Sequence, residues 1–168
     1  MDDVEALEFA IKVEKAGLKS YLEFARKSRD ITGKNMFISL AKDEFAHMEI
    51  LEKELNNIRE KKGWEKVDIP ESEVEKLIPV LDSIQKKKGK SGMQEIDALE
   101  MALEQEERSM RFYREQKEKV KDPVARKILE KLGEMELSHY LLIQSELDYI
   151  RNTGFWFDIP EFSLEVSQ

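Results

Sequence analysis

The chain of 168 residues has two histidines in all, and each closes the same tetrad: Glu44-Phe45-Ala46-His47 and Glu136-Leu137-Ser138-His139. Residues three apart on a helix leave from one face, so each tetrad sets a carboxylate beside an imidazole. The flanking residues make the two pairs informative. Phe37, Leu40, Glu44, His47, Leu51, Leu55 and Ile58 follow the three-four spacing of a core-facing stripe, and Leu129, Leu132, Glu136, His139, Ile143, Leu147 and Ile150 do the same. Four hydrophilic side chains therefore stand where apolar ones are expected. An unpaired buried charge is costly, so such positions persist when the charges are paired or bind metal.

Two further glutamates interrupt apolar stripes in the same way. Glu14 lies within Val4, Leu7, Ile11, Leu18, Tyr21 and Ala25, and Glu106 lies within Ile96, Leu99, Leu103, Met110 and Tyr113. Each is followed seven residues later by a tyrosine on its own face. The candidate site is thus Glu14, Glu44, His47, Glu106, Glu136 and His139. Four carboxylates and two imidazoles suit two borderline transition-metal ions better than calcium or a thiolate-seeking metal, and ligand type separates iron from manganese poorly. Two divalent cations would neutralise four carboxylates, which is what burial of the cluster requires.

Four helices must position these groups. Helix 1 is expected from Asp3 to about Arg29, and helix 2 from a cap at Asp30 or Thr32 to about Lys62, before Gly63. Helix 3 opens after Ser91-Gly92 and runs to about Lys121; Asp122-Pro123 caps helix 4, which runs to about Asn152 before Gly154. Short connections make two antiparallel hairpins, 3–62 and 93–152, joined by a long crossover over 63–92. Within the crossover, Glu71 to Lys87 is expected to hold a short helix bent at Pro79, with Trp64, Val67 and Ile69 packed on the bundle. The hairpins are copies: Glu14 and Glu106, Tyr21 and Tyr113, Glu44 and Glu136, and His47 and His139 are all 92 apart. Duplication of this kind gives a bundle with two equivalent half-sites. The tail 153–168 contains Phe155-Trp156-Phe157, too aromatic for a solvated end, and is expected to pack on the bundle or across a subunit interface.

Composition agrees with a single all-α domain over 1–168. Charged residues are 38%, and Gly and Pro number only 7 and 4, a mix that favours helices. A net charge of −8 argues against nucleic acid as a partner. The absence of cysteine excludes disulfides, thiol chemistry and thiolate-held zinc or iron-sulfur sites. No signal sequence and no membrane-length apolar run is legible, so the expectation is a cytoplasmic protein that does not engage the membrane.

On its doubled Glu and Glu-x-x-His pattern, spanning about Asp3 to Asn152, the chain resembles the ferritin-like di-iron carboxylate superfamily, and within it the rubrerythrin-type proteins. The resemblance implies a ferritin-like four-helix bundle holding two iron ions. Glu14 and Glu106 would be terminal ligands, Glu44 and Glu136 bridging carboxylates, and His47 and His139 would each bind one iron. Tyr21 and Tyr113 would donate hydrogen bonds to ligand carboxylates. Asp43 matches an acid that holds the far histidine in some relatives, although its repeat mate is Met135. Two departures bear on function. Rubrerythrins proper carry a further glutamate where this chain has Ser109, whose mate is Gly17, so the site looks closer to the symmetric ferritin type. There is also no cysteine-ligated rubredoxin module, so electrons are expected from an external donor such as a rubredoxin-like protein. The expected activity is reduction of hydrogen peroxide or O2 by a homodimer. The alternatives are a ferroxidase that handles iron and a di-iron oxygenase acting on an organic substrate.

Overall fold

The computed structural model describes residues 2–72, 74, 87–90 and 93–157. Four helices form two antiparallel hairpins: α1 (Asp3–Lys27) with α2 (Ile31–Arg59), and α3 (Met93–Lys119) with α4 (Pro123–Thr153). This is the all-α, ferritin-like four-helix bundle expected from the sequence. α1, α2 and α3 stop two or three residues early, and α4 runs one residue further than expected. A two-stranded antiparallel ribbon was not anticipated. It pairs β1 (Lys87–Lys90) with β2 (Phe155–Phe157), so the end of the crossover meets the residues that follow α4.

Local chemistry explains where the helices begin. Asp2 and Glu5 form a reciprocal capping box at α1. Asp30 accepts the backbone N–H groups of Thr32 and Gly33 at 2.8 and 3.3 Å, and its repeat mate Asp122 accepts those of Val124 and Ala125 at 2.7 and 3.2 Å. Each aspartate satisfies donors that the first helical turn cannot satisfy itself. The repeat extends to the surface, where Arg59 pairs with Glu8 within the first hairpin and Arg151 pairs with Glu100 within the second.

The core falls into two apolar clusters. One gathers Tyr21, Met36, Phe37, Leu40, Leu99, Leu142, Ile143 and Trp156; the other gathers Leu7, Ile11, Leu51, Leu55, Tyr113, Ile128 and Leu132. Along every helix the ligand positions lie between residues of the first cluster and residues of the second. The polar layer is therefore closed at both ends by packed hydrocarbon, which keeps bulk water from it.

The crossover is partly described. Trp64, Val67 and Ile69 pack against the second cluster, as expected, and the Trp64 indole donates to Asp3 at 2.9 Å. The helix expected over Glu71–Lys87 lies largely outside the described residues; Lys87 itself belongs to β1. Of the aromatic tail, Trp156 is fully buried and meets Phe37 edge-on at 6.2 Å. Gly33 permits this seat, because a Cβ there would stand 2.5 Å from the indole ring. Residues 158–168 lie outside the described residues.

Candidate metal centre

All six sequence-identified residues converge at the middle of the bundle, and each is at most 2% exposed. Glu14 comes from α1, Glu44 and His47 from α2, Glu106 from α3, and Glu136 and His139 from α4. Their ligand atoms form two groups, Glu14, Glu44, His47 and Glu136, and Glu44, Glu106, Glu136 and His139. Within each group the atoms lie within 4.8 Å of one another. Glu44 and Glu136 belong to both groups, so they are the two residues that could serve both positions. The imidazoles of His47 and His139 lie nearly parallel across the site, with ring centroids 5.7 Å apart.

The imidazoles turn Nδ1 inward. His47 Nδ1 lies 2.9 Å from Glu136 Oε1 and 3.2 Å from Glu14 Oε2, while His139 Nδ1 lies 3.4 Å from Glu44 Oε1 and 3.6 Å from Glu106 Oε2. Several of these close contacts lack the alignment of a hydrogen bond, which leaves Glu44 Oε1, Glu106 Oε2, Glu136 Oε1 and His139 Nδ1 without a hydrogen-bond partner among the described residues. Buried polar atoms are normally satisfied, and a set of orphans converging on one space is what a metal-binding cluster leaves when only protein atoms are counted. The donor set, oxygen and imidazole nitrogen without sulfur, fits two first-row divalent ions.

Electrostatics lead to the same conclusion. Burial pushes Glu44 well above the ordinary 4.5, and the carboxylates of Glu136 and Glu14 push it further. Glu136 is raised well above 4.5 by burial and by Glu106 and Glu14. Burial would also raise Glu14, but the neighbouring His47 and hydrogen bonds from Glu44 and Tyr113 outweigh it and hold Glu14 below 4.5. Burial disfavours charge on His139 and His47, yet the carboxylates around them raise both above 6.5, His139 by the larger margin. Protons thus stand in for the positive charge that two cations would supply.

The hydrogen bonds that hold the carboxylates cross between hairpins. The Tyr21 hydroxyl donates to Glu106, and the Tyr113 hydroxyl donates to Glu14. Burial and the adjacent carboxylates raise both phenols well above 10.0, so they remain protonated donors. Asp43 is 4% exposed, and its Oδ2 lies 3.0 Å from His139 Nε2. It also receives Ser72 Oγ at 2.6 Å and the Val74 N–H at 3.4 Å, so the crossover is tied to the back of His139.

Sequence reasoning missed Ser72, because nothing periodic in the crossover marks it. It also passed over Glu54 and Glu146, fully buried glutamates one heptad beyond His47 and His139. Glu54 lies outside the ligand groups and accepts the Glu65 N–H at 3.0 Å, fastening the chain that leaves α2. The 92-residue offset relating it to Glu146 was the available signal. Gly17 is buried against the site: a Cβ there would lie 2.7 Å from Glu44 Oε2 and 2.8 Å from Gln105 Nε2. Its mate Ser109 is 3% exposed, so the position at which rubrerythrins proper place an added glutamate is filled here by a small hydroxyl.

Among the described residues no helix is long and apolar enough to cross a membrane. A structure titled as a hypothetical protein from Pyrococcus furiosus superposes with a TM-score of 0.69 at 24% identity, covering 90% of this chain and 92% of that one; the likeness shows the shared fold. No curated protein matches the sequence. A family model described as Rubrerythrin matches residues 5–147.

Proposed function

The chain belongs to the rubrerythrin family, and from that premise we propose that it is a di-iron oxidoreductase that reduces hydrogen peroxide with electrons from a separate donor. The observation that carries this reading is the overlap of two four-ligand groups on Glu44 and Glu136. Glu14 and His47 would complete one metal position, and Glu106 and His139 the other. A bound iron pair supplies two-electron redox chemistry and Lewis acidity.

The remaining work falls to the chain's own residues. Tyr21 and Tyr113 fix the orientation of Glu106 and Glu14 from the opposite hairpin. The apolar clusters on either side exclude bulk water, which strengthens every electrostatic contact within the layer. The 168 residues contain no cysteine and so hold no thiolate-bound iron of their own, and the proposed donor is a separate protein of the rubredoxin-like kind. Phe45 and its repeat mate Leu137 are large side chains left 46% exposed, and they support a homodimer, which light scattering would measure. A cytoplasmic location completes the proposal.

The deciding experiment loads the protein anaerobically with Fe(II), then mixes it with stoichiometric hydrogen peroxide or with O2 and follows metal oxidation. Faster oxidation by peroxide is expected. Faster oxidation by O2 would replace this reading with ferroxidase or oxygenase chemistry.

A further inference from the structure

We propose that Ser72, acting through Asp43, is a positioning residue for His139, and that it makes the metal position served by His139 bind its ion more tightly than the position served by His47. The inference rests on the two-metal reading above.

The ligand sets of the two positions are alike in composition, yet the groups behind their histidines differ. His139 Nε2 meets Asp43 Oδ2 at 3.0 Å, and that oxygen is itself held by Ser72 Oγ at 2.6 Å and by the Val74 N–H at 3.4 Å. Ser72, Val74 and His139 are fully buried and Asp43 nearly so, so bulk water does not compete for these bonds. A carboxylate at Nε2 keeps the proton there and leaves the Nδ1 lone pair directed at Glu44 and Glu106. It also makes the imidazole a more basic ligand.

His47 has no such support. Its Nε2 has no hydrogen-bond partner among the described residues. The residue that corresponds to Asp43 on α4 is Met135, fully buried, which brings no carboxylate. The neighbouring carboxylates Glu14 and Glu136 orient its Nδ1, but among the described residues nothing fixes the proton on the far nitrogen. Duplication made the two sets of site residues alike, and among the described residues the crossover stands behind His139 alone. Outer hydrogen bonds to a ligand histidine typically alter metal affinity about ten- to hundredfold, so a difference of that order is expected between the two positions.

Mn(II) titration, followed by calorimetry and by the EPR signal of the free ion, tests this. Wild type is expected to bind two ions in separate steps about tenfold or more apart. His47→Ala should retain the tighter step and His139→Ala should lose it. Ser72→Ala and Asp43→Asn should weaken the tighter step and leave the weaker one in place. Circular dichroism reports folding, and Ser72→Ala, which deletes a single hydroxyl, carries the test if Asp43→Asn does not fold. Two equal steps in wild type would overturn this inference and leave the two-metal reading intact. Equal weakening of both steps by Ser72→Ala would also overturn it, by reducing the crossover to a purely structural part. Absence of any bound metal would overturn both.

Discussion

Tyr21, on the first helix of one hairpin, donates its hydroxyl proton to Glu106 on the first helix of the other, and the repeat returns the contact through Tyr113 and Glu14. Each hairpin therefore holds a carboxylate that belongs to its partner. These crossed bonds add two directional contacts to the apolar packing that joins the halves.

Removing one crossed bond should loosen one carboxylate without unfolding the bundle. Tyr21→Phe is expected to lower metal affinity about ten- to hundredfold, with a loss of stability of about 1.5–3 kcal/mol for a hydrogen bond to a charged group. Tyr113→Phe should do the same at the other end. Titration calorimetry and thermal melts measure both effects, and unchanged affinity in the two variants would contradict the orienting role.

Metal removal should destabilise the fold. Two divalent ions would neutralise four carboxylates that are otherwise packed between apolar clusters. A saturating metal at a hundred times its dissociation constant contributes about 2.7 kcal/mol per site. The melting temperature should fall on chelation and recover when Mn(II) or Fe(II) is restored.

The metal-free protein should also lose stability as pH rises. Glu44, Glu136, His47 and His139 all have pKa values raised by folding, and for such groups the stabilisation is complete below the unfolded pKa and lost as pH climbs through the folded one. The loss begins near 4.5 for the two glutamates and near 6.5 for the histidines. Glu14, held below 4.5, contributes stability that is already complete above that value and is lost only as pH falls below it, so it leaves the trend at higher pH unchanged. Denaturant midpoints of chelated protein from pH 5 to pH 8, about the range in which stability is commonly greatest, should therefore decrease. With metal bound, the decline should disappear.

Gly17→Ala should separate stability from binding. Alanine is favoured over glycine inside a helix by about 1 kcal/mol. The new Cβ would stand 2.7 Å from Glu44 Oε2 and 2.8 Å from Gln105 Nε2, both at the ends of flexible side chains. The helix should tolerate the change while Glu44 is displaced. Equal or higher thermal stability with weakened metal binding is expected, and unweakened binding would count against Glu44 as a ligand.

Gly33→Ala should behave differently, because its Cβ would meet the rigid indole of Trp156 at 2.5 Å. Overpacking of this kind costs about 1–3 kcal/mol. Tryptophan fluorescence should shift to the red as Trp156 leaves its seat, and the melting temperature should drop.

The six residues that converge were legible because each breaks an apolar stripe at a position the other hairpin repeats. Periodicity and duplication are local or pairwise signals, and both survive in a single sequence. The Asp43 contact was half legible: its spacing was visible, but its mate Met135 obscured the role until the His139 ring was placed. Ser72 left no trace, since a residue that acts through a contact with α2 has no periodic pattern of its own. The ribbon between β1 and β2 was likewise hidden, because a lysine run gives no strand signal and its partner lies 65 residues away in the register that joins Lys90 to Phe155. Gly33 became meaningful only with Trp156 against it.

The 92-residue repeat has an evolutionary consequence. A lone ancestral hairpin, paired with a copy of itself about a twofold axis, would already have furnished all six ligands and both tyrosines. In such an ancestor any substitution would appear on both sides at once. Joining the copies into one polypeptide freed each half to vary alone, and the unlike residues Asp43 and Met135 mark a position where the halves have since parted.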